Sequence, residues 1–152
     1  MIFAIDPGPK NSAWCTYDVE KSPPAISAGI LPNDEMKMLI ALMGGETLIL
    51  EMVACYGMPV GAEVFETCVW IGRFLEAHQG PFRLVYRKDV KIHLCGTMRA
   101  KDSSIRQRLI DLFGSPGTKK NPGRTYGLAK DMWQSLALAV TAAETNEKDA
   151  YS

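Results

Sequence analysis

The sequence predicts a single α/β domain over residues 1–152: a central mixed sheet of five strands, three antiparallel and then two parallel, with helices on both faces. Three observations carry this. Three short β-prone segments open the chain, and the connections between them are too short for anything but antiparallel hairpins. Two further apolar segments then alternate with helical patterns, the arrangement that builds parallel strands with helical crossovers. A length of 152 residues with 47% hydrophobic content suits one core, and no repeat, long linker or second core is visible.

The apolar run Ile2-Phe3-Ala4-Ile5 is the first strand, and it stops at Asp6-Pro7-Gly8. Pro7 removes a ladder donor and Gly8 permits a turn, so the chain must leave the sheet directly after a carboxylate. Residues 11–18 (NSAWCTYD) form the second strand and residues 25–31 the third, separated by Pro23-Pro24. Asn33-Asp34 is a plausible N-cap for a short helix over 35–43, closed by Gly44-Gly45. Thr47-Leu48-Ile49-Leu50 is a compact strand that ends in Glu51, repeating the opening pattern of apolar strand and terminal carboxylate.

Pro59 introduces a long helix, Val60 to Gln79, closed by Gly80-Pro81. Val64, Cys68, Ile71 and Leu75 make one stripe at helical spacing, and Phe65, Trp70 and Phe74 widen it beyond what one core face needs. Residues 82–86 form the fifth strand, ending in the basic pair Arg87-Lys88. A short helical piece over 89–94 follows, then a helix capped by Asp102 or Ser103 and running through Phe113. Residues 114–129 (GSPGTKKNPGRTYGLA) cannot bury a face and read as a mobile basic loop. The last helix, from Lys130 to about Thr145, turns Trp133, Leu136, Ala137 and Val140 inward, and the polar tail at 146–152 is expected to fray.

The formal charge of zero conceals an asymmetry. Residues 1–82 hold four Lys/Arg against ten Asp/Glu, residues 83–130 twelve against three, and residues 131–152 one against four. A basic block beside an acidic remainder suggests a polyanion-binding face near a carboxylate site. Within it Arg87, Lys88, Arg99, Lys119, Lys120 and Arg124 are candidate phosphate contacts, which position nucleic acid without reading sequence. Cys15, Cys55, Cys68 and Cys95 form no CxxC pair, and His78 and His93 stand alone, so reduced thiols are expected rather than disulfides or zinc. No apolar run approaches the ~20 residues of a membrane helix. No basic segment precedes the first strand as in a signal peptide.

If the first and fourth strands are parallel neighbours, Asp6 and Glu51 lie side by side at their ends. Asp131, in the first turn of the last helix, would complete a trio. Carboxylates from separate elements repel unless a cation compensates, which points to Mg²⁺ or Mn²⁺. Two such ions roughly 4 Å apart, bridged by a shared aspartate, activate a water and stabilise the leaving oxygen of a phosphodiester. The chemistry asks for hard oxygen ligands, in keeping with a chain that lacks His and Cys patterns.

Asp6-Pro7-Gly8 after an apolar strand, Leu48-Ile49-Leu50-Glu51, and Asp131-x-x-Gln134-Ser135-Leu136-Ala137-Leu138-Ala139 together resemble the three signature segments of RuvC-type Holliday junction resolvases. The resemblance runs from residue 2 to about residue 145. It implies an RNase H-like fold and a homodimeric, Mg²⁺-dependent endonuclease, with Mn²⁺ able to substitute and two ions per site. Such an enzyme nicks two opposed strands of four-way or related branched DNA. Under this resemblance Asp6 matches the bridging metal ligand, Glu51 the second acidic ligand and Asp131 the first acidic position of the last helix. Lys91 and Lys101 fall where basic residues approach junction phosphates, and Tyr56 where a loop aromatic stacks at the junction centre. The helix Val60–Gln79 corresponds to the dimer-forming element, and the implied location is a bacterial or phage-infected cytoplasm.

One departure stands out. The family has a carboxylate three residues after the Asp131 position, and this chain has Gln134, whose carbonyl can ligate Mg²⁺ but brings no charge. The alternative is therefore a junction-binding RNase H-like protein with weak or lost cleavage. A sugar-kinase or actin-like nucleotide domain shares the early aspartate but needs a far longer chain, and a metal-free regulatory module leaves the basic block unexplained. The loop at 114–129 is long for the cellular enzymes and closer to a compact phage or mobile-element branch.

Overall fold

The computed structural model describes residues 1–145; the tail expected to fray lies outside the described residues. In chain order the elements are β1 (Ile2–Asp6), β2 (Asn11–Asp18), β3 (Ala25–Pro32), α1 (Asn33–Leu42), β4 (Thr47–Met52), α2 (Ala62–Ala77), β5 (Phe82–Tyr86), α3 (Arg87–Cys95), α4 (Asp102–Phe113) and α5 (Met132–Glu144). The strands form one sheet in the order β3-β2-β1-β4-β5. β1–β2 and β2–β3 are antiparallel, and β1–β4 and β4–β5 are parallel, as the hairpin and crossover connections dictate.

The period-two alternation of the strands divides the core into two layers. Phe3, Ile5, Leu48 and Leu50 point to one face, where Met36 and Ile40 of α1 and Ile71 and Phe74 of α2 cover them. Ala4, Cys15, Tyr17, Ile49 and Val85 point to the other, under α3, α4 and α5. α5 is the hub of that layer. Every residue from Trp133 through Thr141 is buried, and the helix packs on β1, β2, β3 and β4 as well as on α3 and α4. Ala137 and Ala139 are fully buried, and the hydroxyls of Ser135 and Thr141 donate to the carbonyls of Met132 and Ala137 at 2.8 Å.

The differences from the sequence reading have local causes. α1 begins at Asn33 itself, because the Asn33 side chain is committed elsewhere and caps nothing. α2 starts at Ala62, and its buried line is Thr67, Ile71 and Phe74 rather than the Val64–Cys68 line. Phe65 and Val69 face outward, 63% and 57% exposed. α3 starts at Arg87, directly on the end of β5, two residues earlier than expected. Residues 114–129 are not an open loop. Gly117 and Pro122 pair across a tight hairpin, Gly123 N–H donates to Pro116 O, and Thr118 N–H donates to Asn121 O. Arg124 then straps the segment down by donating to the carbonyl of Pro24 and lying over the ring of Phe113.

All four cysteines are free. Cys15 is fully buried, and burial pushes its thiol up to about 12, whereas Cys55 is exposed. Since the thiolate is the reactive form, an alkylating reagent at neutral pH is expected to modify Cys55 first and to spare Cys15 until the chain is unfolded. Peptide mapping by mass spectrometry reads this directly, and equal labelling of the two would contradict the burial of β2.

Candidate active site

The two strand-end carboxylates meet. Ile5 of β1 aligns with Leu50 of the parallel β4, so Asp6 and Glu51 are the next residues along neighbouring strands. By alternation both point to the α5 face, the same side as Ala4 and Ile49. Glu51 in turn aligns with Val85 of β5, and Arg87, two residues on, returns to that face. The strand register, with α3 starting directly on the end of β5, thus sets a cation beside two acids. Arg87 Nε donates to Glu51 Oε1 at 2.7 Å, and its Nη2 lies 3.8 Å from Asp6 Oδ2. Its Nη1 is 4.0 Å from Asp102 Oδ1, at the start of α4.

Burial and charge shape the site strongly. The Asp6 and Glu51 side chains are 11% and 7% exposed. Burial first, and then the neighbouring Glu51 carboxylate, raise Asp6 to about 9, with Asp131 adding a smaller push and Arg87 pulling the other way. Burial alone would lower Arg87, but Glu51, Asp6 and Asp102 reverse this and hold the guanidinium firmly charged. Glu51 is split between two environments: Oε1 faces Arg87 and, at 3.5 Å, the Gln134 amide, while Oε2 is buried without a protein partner.

Of the two polar residues expected from the last helix, Gln134 is the one brought to the carboxylates; it is buried against Glu51. Asp131 lies one turn earlier as the N-cap residue, exposed at the rim, close enough to Asp6 to act through its charge. The expected carboxylate trio is therefore not gathered, and among the described residues no group of three or more His, Cys, Asp or Glu is placed to hold a metal ion. The physical reason is helical phase: α5 turns its fully packed face to the sheet from Trp133 onward, and Asp131 precedes that face.

The turn that follows Asp6 is fixed by a polar knot. Gly8 N–H donates to Ser12 Oγ at 3.2 Å, Ser12 Oγ donates to Asn33 Oδ1 at 2.6 Å, and Asn33 Nδ2 donates to Gly8 O at 2.8 Å. Asn33 N–H also donates to Lys10 O. Ser12 and Asn33 are buried and fully engaged. A Cβ on Gly8 would fall 2.4 Å from Asn11 O, so only glycine fits there. On the other side, the loop after β4 turns at Tyr56 and Gly57, both with positive φ (49° and 78°), closed by a Met58 N–H to Cys55 O bond. A non-glycine residue held at positive φ costs roughly 1 kcal/mol or more, and here it presents an aromatic ring at the mouth of the cleft.

That cleft, about 290 Å³, is lined by Asp6, Pro7, Glu51, Met52, Tyr56 and Arg87 among others. The Lys88 ammonium sits 6.0 Å from the Tyr56 ring and 5.9 Å from that of Tyr86, beside the cleft that Tyr56 and Arg87 line. Lys101 is the N-cap of α4, adjacent to the Asp102 that reaches Arg87. Lys91 is half-buried on α3, and Arg99, Lys119 and Lys120 are exposed on turns. Arg124 is exposed as well, with one guanidinium N–H on the Pro24 carbonyl and its plane over the Phe113 ring.

Arg87 as a member of the carboxylate cluster, and Ser12 and Asn33 as the supports of the Asp6 turn, are what the sequence reading missed. For Arg87 the signal was a cation at the end of a strand parallel to the carboxylate strand. For Asn33 none separates it from an ordinary cap.

The donor set fits a divalent cation of the hard, oxygen-loving kind. Asp6 and Glu51 are adjacent, buried and electrostatically unfavourable as a pair, and Glu51 Oε2 has no protein group to satisfy it. These are the residues that would hold the ion.

By sequence, the chain matches no family model and no curated protein. By structure it matches Thermus thermophilus RuvC, with a TM-score of 0.66 and 17% identity over 93% of this chain and 92% of that one. A structure of T. thermophilus RuvC in complex with Holliday junction substrate gives a TM-score of 0.70 and 14% identity, with the same coverage. A Fowlpox virus resolvase in complex with its substrate Holliday junction DNA gives 0.50 and 16% identity over 95% of this chain and 99% of that one. The protein therefore has an RNase H-like fold, and within that class the fold of RuvC-type resolvases.

Proposed function

We propose that the protein is a structure-selective endonuclease that cuts four-way or related branched DNA by divalent-metal-dependent phosphodiester hydrolysis. The observation that carries this is the pairing of Asp6 and Glu51 at the ends of β1 and β4, in a cleft that Tyr56 and Arg87 also line, with the Lys88 ammonium beside the Tyr56 ring. A divalent ion bound there supplies Lewis acidity toward a phosphodiester and the water that attacks it. The chain's own residues do the rest. Asp6 and Glu51 offer oxygens from rigid strands, and Gln134 steadies Glu51. Lys88, Lys91, Arg99, Lys101, Lys119 and Lys120 provide cations for backbone phosphates, and Tyr56 an exposed face for stacking a base at a branch point. Structural neighbours bound to Holliday junction DNA support the substrate class.

Incubation with a labelled four-way junction and Mg²⁺ or Mn²⁺ tests the reading. Paired nicks are expected, dependent on the ion and lost in Asp6→Asn and Glu51→Gln by roughly a hundredfold or more. Absence of both binding and nicking on branched DNA would reject it. A second reading, a junction binder with weak cleavage, is favoured by one observation: Gln134 stands against Glu51 where a charged ligand would strengthen the site. Tight binding without nicking, with nicking restored by Gln134→Asp, would select it.

Paired nicks call for two active sites, and α2 offers the surface for a homodimer. Phe65 and Val69 lie one turn apart and outward, and an apolar stripe of this kind marks an interaction site. Phe65→Glu with Val69→Asp is expected to shift the protein to monomer in sedimentation and to replace paired nicks by single ones. An unchanged oligomeric state would place the dimer elsewhere.

A further inference from the structure

Resting on the nuclease reading, we propose that the site takes one divalent cation, held by Asp6 and Glu51, and that Arg87 supplies the second positive charge that a two-ion site would otherwise provide. This replaces the two ions expected from the sequence.

The geometry divides Glu51 between two cations. Its Oε1 is occupied by Arg87 Nε at 2.7 Å, with the Gln134 amide at 3.5 Å, and its Oε2 is buried and unpartnered. One oxygen is thus already neutralised by the protein, and the other is left for an ion shared with Asp6. The charge count agrees. Among the described residues, Asp6 and Glu51 are the buried acids of the cluster: Gln134 is neutral, Asp131 is exposed, and Asp102, on the far arm of Arg87, is 75% exposed. Counting the two buried acids and Arg87, and leaving out Asp102 and Asp131 as exposed to water, the ionised cluster carries −1, which one divalent cation turns to +1; two would leave +3 among the buried groups, a costly state.

Arg87 is also well held for the task. It is the first residue of α3, so its backbone is set by the end of β5. Its fork reaches three acids: Glu51 on Nε, Asp6 on Nη2 and Asp102 on Nη1. Its side chain is 40% exposed and lines the cleft, so part of the guanidinium faces the space a phosphodiester would enter. A planar guanidinium matches phosphoryl oxygens in pairs and cannot lose its charge. In hydrolysis the water's OH joins phosphorus, its other proton ends on the departing oxygen, and the P–O bond between them breaks. Arg87 faces the negative charge that builds on the phosphoryl oxygens during that exchange.

The test counts ions before it measures cutting. Mn²⁺ titrated into the full chain, with free Mn²⁺ followed by electron paramagnetic resonance, is expected to give one ion per chain, alone and with a four-way junction bound. Two ions per chain in either case would overturn the proposal without any variant. Arg87→Gln is expected to keep one ion but bind it roughly tenfold tighter, because a competing cation has left Glu51. Its nicking is expected to fall roughly a hundredfold, with partial recovery in Arg87→Lys. Unchanged Mn²⁺ affinity and unchanged nicking in Arg87→Gln would overturn the role of the arginine. The double variant Arg87→Gln/Gln134→Asp, which trades the internal cation for a third carboxylate, is expected to bind two ions; one ion there counts against the proposal. The ion count needs no DNA. A chain that binds one Mn²⁺ and shows the Arg87→Gln affinity change but nicks no branched DNA would therefore reject the nuclease reading and leave the one-ion assignment standing.

Discussion

Asp6→Asn is expected to make the metal-free protein more stable while abolishing the nicking proposed above. Asp6 is held at about 9, against an ordinary value of 3.8, by burial and by Glu51. The folded chain therefore keeps a proton that the unfolded chain releases across that interval. Folding is unaffected by this group below pH 4, where both states are protonated, and is increasingly opposed as pH rises toward 9. Asparagine keeps the shape and removes the opposition. The expected gain is near zero at pH 4 and on the order of a few kcal/mol at pH 8. At roughly 2–4 °C per kcal/mol for a chain of this size, that is a rise in Tm of about 5–10 °C. Thermal melts in a chelating buffer across this range test the sign, and a less stable Asp6→Asn at pH 8 would sink the account. Added Mn²⁺ is expected to narrow the gap, because the ion stabilises only the chain that still has both carboxylates.

Leu136→Ala is expected to be the costliest conservative change in the helical layer. Leu136 is fully buried in α5, within the cluster that includes Ile49, Val85 and Leu109. Removing its branch leaves a void that helix and sheet cannot close, since α5 is already wedged against the sheet on one side and α3 and α4 on the other. Such truncations cost roughly 2–5 kcal/mol, hence a fall in Tm of about 5–15 °C. Leu112→Ala, at a position 42% exposed on α4, is expected to cost well under half as much. Urea midpoints of the two variants decide the matter, and similar losses would mean that the core is not centred on α5.

The order of elements was legible because each strand is a short β-prone run with a clear stop. Asp6 and Glu51 were legible for the same reason: a carboxylate directly after a short apolar run has few places to go. Arg87 was not, because its role depends on the register that sets Val85 against Glu51 across two strands far apart in sequence. The choice between Asp131 and Gln134 turned on one helical turn at a helix start, where a change of a residue or two in the boundary moves a side chain from the core to the rim. Residues 114–129 misled by composition. Their glycines and prolines read as looseness, yet a Cβ on Gly117 would fall 2.3 Å from Asn121 O and one on Gly123 2.0 Å from Ser115 O, so these glycines permit close packing. Composition does not distinguish a glycine that loosens a chain from one that lets two strands touch.

The knot of Gly8, Ser12 and Asn33 joins three separate pieces of the chain: the turn after β1, the start of β2 and the first residue of α1. Asp6 is thereby anchored from behind, by groups on the far side of the turn from the cleft. Its position is inherited from folding and does not wait for an ion or a DNA strand to arrive. A ligand that finds its oxygen donors already in place spends little of its binding free energy on arranging them. The same anchoring makes α1 a lever: a change at Asn33, which does not line the cleft, would be felt at the carboxylate as lost aim rather than lost charge.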